Sequence, residues 1–225
     1  QTGDLALLSA PLSGDPNSED NKRVINELRE QYIPRSFSGV NARVYVGGEA
    51  AINVDLIEIT DSYRPIVFAF VLGLSFVLLT IVFHSLVVPL KAILMNLLSV
   101  GAAYGLVVLV FQEGVGADML GFQKVETVET WLPLFLFSIL FGLSMDYHVF
   151  LLSRIRERYV QTGDNSESVA FGLRSTGAII TGAALIMVAV FGGFASGRLV
   201  MFQQMGFGLT VAVFLDATIV RSVLI

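Results

Sequence analysis

The sequence predicts an all-α membrane bundle of five transmembrane helices, preceded by a small α/β unit. Three observations carry that expectation. Hydrophobic residues make up 54% of the chain and charged residues only 15%, whereas an ordinary soluble domain is about half apolar and about a quarter charged. Five apolar runs each reach the roughly 20 residues that a helix needs to cross hydrocarbon. Polar character, finally, is concentrated before residue 63. A soluble hydrophobic core does not account for five such runs, because no amphipathic surface helices remain to cover them.

Residues 1 to about 62 are soluble in character. Leu5 to Leu8 reads as a short apolar strand, followed by a turn-rich stretch. A helix then starts, with Asn17 or Ser18 as its cap and Glu19 and Asp20 at its positive end. Val24, Ile25, Leu28 and Tyr32 form its apolar stripe, and Pro34 is expected to stop it. In Ala42 to Val46 the apolar Val44 and Val46 alternate with Arg43 and Tyr45, the period of a half-buried strand, and Gly47-Gly48 ends it. Strand, helix and strand make a βαβ-like unit. It is too small to bury a good core alone, so it is expected to complete a sheet with residues outside this sequence. Ile52, Leu56, Ile59 and Tyr63 then recur at helical spacing and lead into the first span.

The spans are expected at about 64–83, 88–111, 131–152, 177–196 and 202–224. Basic residues sort their ends. Arg154, Arg156, Arg158 and Arg174 follow the third span and Lys91 closes the first connection, while the alternate loops hold Lys124 and Arg198. The positive-inside rule places 84–91 and 153–176 in the cytoplasm, the N-terminal unit outside, Trp131 at the outer interface and Ile225 inside. The chain opens Gln-Thr-Gly and stops within an apolar run, so a piece of a longer polypeptide is expected.

A net charge of −5 with no basic patch speaks against nucleic-acid binding. The absence of cysteine excludes disulfides, thiolate nucleophiles and cysteine-ligated metals. No phosphate-cradling loop, HExxH site or GxSxG elbow is present, so no cofactor or metal is expected, and any energy the protein uses would come from an ion gradient and not from ATP hydrolysis. Small residues four apart, Ala69 with Gly73, Gly101 with Gly105, Ala178 with Gly182 and Gly193 with Gly197, predict close helix packing.

An ionisable side chain inside hydrocarbon is costly and therefore a functional candidate. Asp146, in Phe141-Gly142-Leu143-Ser144-Met145-Asp146-Tyr147-His148, is the sharper candidate for taking up and releasing a proton. Tyr147 can donate a hydrogen bond but points about 100° away from it, toward a neighbouring helix. A structural hydrogen-bond network is the competing reading of Asp146, and an interfacial structural role that of His148. Asp216 recurs with Thr218 and Arg221 on the last span, where an internal Asp216–Arg221 salt bridge competes with any proton traffic.

Gly142 to Arg154, followed by a basic loop, by Gln204-Met205-Gly206-Phe207-Gly208 and by Asp216-Ala217-Thr218-Ile219-Val220-Arg221, resembles the C-terminal half of MMPL-type transporters, a branch of the RND superfamily. Val46-Gly47-Gly48-Glu49-Ala50 and the stretch from Gly121 to Pro133 extend the likeness over essentially the whole chain. The resemblance implies a half of a twelve-helix bundle, with the five spans as its eighth to twelfth helices and residues 1–62 as part of an extracytoplasmic porter domain. It implies that Asp146 and Tyr147 are one half of a proton relay, supported by intramembrane polar residues such as Ser144, His148, Asp216 and Arg221. The other half would lie in a missing N-terminal half of the same polypeptide. Its implied partners are protons, membrane lipids and a hydrophobic or lipid-like substrate, possible self-association included, in a bacterial cell membrane. Two other readings stay open: a non-transporting, sterol-sensing-like or assembly protein, and an intramembrane aspartyl protease using Asp146 and Asp216 as a dyad.

Overall fold

The computed structural model describes residues 5–12 and 18–220. The chain divides into two units, Gln1–Ser62 and Tyr63–Ile225.

In the first unit, helix α1 spans Glu19–Glu27. The Ser18 side-chain oxygen caps it by accepting from the Asn21 N–H at 3.3 Å. Asn17, the other candidate cap, lies outside the described residues. Pro34 does not end the helix. The chain continues through a π turn, Leu28–Tyr32, into α2, Ile33–Ser36, whose first turn holds the proline; there no intrahelical N–H is required of it. Of the expected apolar stripe, Ile25 is buried and packs with Ala50, Ala51 and Val54, whereas Tyr32 stays exposed.

The expected α/β character is not found. Among the described residues neither Leu5 to Leu8 nor Ala42 to Val46 forms a strand. A strand exists by pairing its backbone with a neighbour, and no second segment lies in register with either; Leu5, Leu7, Leu8 and Tyr45 are all exposed. The described fold is helical throughout.

What holds Val46 is a side chain. The Arg29 guanidinium donates to both carboxylate oxygens of Asp55, through Nη2 at 3.1 Å to Oδ2, and the same Nη2 reaches the Val46 carbonyl at 3.2 Å. Two parallel bonds from one guanidinium fix direction as well as distance. The bond to Arg29 holds the Asp55 carboxyl below the usual aspartate range. A carboxyl depressed in the folded state contributes stability above its unfolded value, near pH 4, and loses it as pH falls through the folded value. Hydrogen exchange on the intact protein should therefore show α1 losing protection below about pH 4, and Asp55→Asn should remove that dependence.

Helix α3, Glu49–Phe83, passes from the first unit into the second without a break. There follow α4, Val87–Phe111, the short α5, Ala117–Leu120, then α6, Leu132–Thr162, α7, Asn165–Ala195, and α8, Val200–Leu215, which continues as a π turn over Asp216–Val220. Five of these helices are long and apolar enough to cross a membrane. Helices α6 and α7 outrun their apolar stretches and meet at a tight turn, where Gly163 takes φ 69° and the Asp164 carboxylate accepts from the Glu167 N–H at 3.0 Å.

The core of the second unit lies among α4, α6, α7 and α8. Ala103, Val107 and Phe111 of α4 meet Leu132, Leu136 and Leu140 of α6 and Leu209, Ala212 and Val213 of α8. Phe111, Phe122 and Phe207 close one end as an aromatic triad with centroids 5.0 to 5.9 Å apart. Helix α3 stands at the margin, with Phe68 stacked on the buried Phe137 at 3.9 Å and the Arg156 guanidinium of α6 donating to the Val82 carbonyl.

Close backbone approach occurs at other glycines than the spacing predicts. A Cβ on Gly73, Gly101, Gly105, Gly182 or Gly193 would meet nothing within 4 Å. On Gly206 it would lie 2.4 Å from the Ala195 nitrogen and 2.6 Å from the Phe191 carbonyl oxygen, where α8 presses against α7.

Candidate intramembrane proton site

One face of α6 carries Leu140, Leu143, Ser144 and Tyr147 at helical spacing, so these side chains stand together. With α4 and α8 they enclose a small cavity of about 10 Å³, whose polar wall is Asn96 and Ser99 of α4, Ser144 and Tyr147 of α6, and Asp216 at the end of α8. Asp216 reaches it at the start of the π turn, in which Thr218 spends its hydroxyl on the Phe214 carbonyl.

The hydrogen bonds fix the direction of several protons. His148 Nδ1 lies 2.9 Å from the Ser144 carbonyl oxygen, which can only accept, so that nitrogen carries the hydrogen. The Ser144 hydroxyl, 3.3 Å from the same nitrogen, therefore finds no acceptor there and is free to donate elsewhere. It faces the same cavity as the Asp216 carboxyl. Tyr147 sends its hydroxyl to the Met187 sulfur of α7 at 3.2 Å.

Of the residues singled out from the sequence, Ser144, Tyr147 and Asp216 thus come together at one cavity, with His148 behind Ser144. Asp146 does not line it. Asp146 is exposed, on a stripe with Ser138 and Gly142, successive residues four apart. Arg221 lies outside the described residues, so the expected salt bridge with Asp216 is not described. Asn96 and Ser99 were missed by sequence reasoning. The available signal was their place on the buried stripe of α4, which runs Ile93, Asn96, Ser99, Ala103 and Val107 at steps of three and four.

Comparison with known proteins decides the family. The MMPL family model matches residues 1–224. The chain belongs to the MMPL family. It is 42% identical to the "Mycolic acid-containing lipids exporter MmpL11" of Mycolicibacterium smegmatis, over 99% of this chain and 23% of that protein. It is 43% identical to the "Heme uptake protein MmpL11" of Mycobacterium tuberculosis, over 98% of this chain and 22% of that one. The "Trehalose monomycolate exporter MmpL3" of Mycolicibacterium smegmatis is 34% identical over 95% of this chain and 20% of its own length. This MMPL chain thus spans about a fifth to a quarter of the length of these relatives. Family membership and five apolar helices together mark a multi-pass membrane protein.

Proposed function

We propose that this chain is the C-terminal part of a proton-driven MMPL transporter that exports lipids or other hydrophobic molecules across a bacterial cell membrane, with Asp146 and Tyr147 as one half of its proton relay. The observation that carries the reading is the exposure of Asp146 on an apolar span. A carboxyl group facing lipid costs several kcal/mol, and the exposed neighbours Ser138 and Gly142 are small enough for another helix to approach closely. The face fits a further stretch of the same polypeptide, in keeping with relatives four to five times as long. Basic residues concentrated toward the end of α6 and the start of α7, Arg154, Arg156, Arg158 and Arg174, support placing that junction in the cytoplasm and the first unit outside.

The printed names of two relatives, exporters of mycolic acid-containing lipids and of trehalose monomycolate, support a lipid-like cargo. The dyad of a membrane protease finds less support, because Asp216 lines the cavity and Asp146 does not. The test is transport by the intact protein in liposomes, with a fluorescent long-chain lipid as cargo and an imposed pH gradient. Lipid movement should rise with the gradient and stop on adding a protonophore. Movement indifferent to both would overturn proton coupling.

A further inference from the structure

The cavity between α4, α6 and α8 presents an unanswered hydrogen-bond demand. Asn96 and Ser99 are 4% and 5% exposed. Asn96 Oδ1, Ser99 Oγ and Asp216 Oδ1 are each sealed from solvent and have no hydrogen-bond partner among the described residues. All of these residues line the one cavity. A buried polar atom left without a partner pays its full desolvation penalty with nothing in return, so three around a common void call for an occupant.

The chemistry of the atoms says which. Asn96 Oδ1 and an ionised Asp216 Oδ1 can only accept, while the Ser99 hydroxyl can also donate. A molecule with two donors and a free lone pair answers all of them. The volume of about 10 Å³ admits the centre of one water molecule and little more.

We propose that this cavity binds a single water molecule, which donates to Asn96 Oδ1 and Asp216 Oδ1 and accepts from Ser99 Oγ. Asn96 and Ser99 are then positioning residues that hold the Asp216 carboxyl through this water, while Ser144 faces it across the cavity from the α6 side. The water ties α4 to the end of α8 at Asp216. It does so whether or not Asp146 carries protons.

The test is cryo-electron microscopy of the intact protein at a resolution that shows ordered water, for wild type, Ser99→Val and Asp146→Asn. One density within about 3 Å of the three oxygens is expected in the wild type. It should vanish in Ser99→Val, where the larger side chain fills the void and lacks the hydroxyl, and persist in Asp146→Asn. Infrared difference spectra, with the Asp216 band assigned by its loss in Asp216→Asn, give a second readout. That band should shift in Ser99→Val and stay in place in Asp146→Asn. An empty cavity in the wild type overturns the proposal. So does a density with shorter contacts that grows with sodium concentration, which would be a cation, and so does an Asp216 band indifferent to Ser99→Val. Failure of the Asp146 relay would leave density and band unchanged, so the two readings fall separately.

Discussion

Asp146→Asn in the intact protein is expected to reduce gradient-driven proton uptake to the level of protein-free liposomes, while protein yield and melting temperature stay near the wild type. Both halves of that expectation come from the surroundings of the side chain. Among the described residues Asp146 makes no hydrogen bond or ion pair, and its side chain stands on the exposed face of α6. Asparagine has nearly the same shape and breaks no side-chain contact among the described residues, so the packing of these helices should be unchanged. What asparagine cannot do is bind and release a proton. The measurement is a pH-sensitive dye inside liposomes under an imposed gradient, read beside a thermal melt of the same preparation. Uptake that survives in the folded variant would remove Asp146 from the relay and bring the non-transporting reading forward. A large drop in melting temperature would instead show the residue to be a structural contact with chain beyond these helices.

The largest effect on folding is expected at Gly206. Its Cα sits where α8 meets α7 backbone to backbone, and the first carbon of any side chain would come within 2.9 Å of Phe194 as well as closer still to Ala195 and Phe191. Those neighbours are main-chain atoms of a helix, which cannot swing aside as a side chain can. Overpacking a tight core costs about 1–3 kcal/mol where side chains can adjust, and Gly206→Ala should lie at or above the top of that range. Gly206→Leu should yield no folded protein. Gly193→Ala is the control, since a Cβ there meets nothing within 4 Å, and its melting temperature in detergent should match the wild type. Equal melting for the two alanine variants would mean that α7 and α8 do not pack as described.

The membrane helices were legible because hydropathy accumulates over some 20 residues and survives local exceptions. Helix ends were less so: Arg154, Arg156 and Arg158 favour helix as readily as the apolar run before them, so α6 continues to Thr162 where the apolar pattern stops near 152. The two strands were misread for a different reason. Alternation in Ala42 to Val46 is a local pattern, but a strand is a pairwise object, and its partner cannot be read from five residues. At the site, charge made Asp146 and Asp216 conspicuous. Asn96 and Ser99 carry none, and only the three-residue step that sets them on the buried side of α4 distinguishes them from ordinary polar interruptions.

The marginal position of α3 has a mechanical consequence. One side of this helix is held along its length: the Phe68 ring stacks on Phe137, Val71, Leu72 and Phe76 pack on the cluster of Ile93, Phe137 and Phe141, and the Val82 carbonyl lies under Arg156. At 1.5 Å per residue the first and last of these contacts lie about 21 Å apart along the helix, one an apolar stack and the other a polar clasp near the helix end. A rod held along one side over that length resists sliding and tilting, while its opposite face, with Ile66, Phe70, Leu74, Val77 and Ile81, stays open. Loosening the polar clasp with Arg156→Met would free the end of the helix and leave the apolar stretch from Phe68 to Phe76 seated.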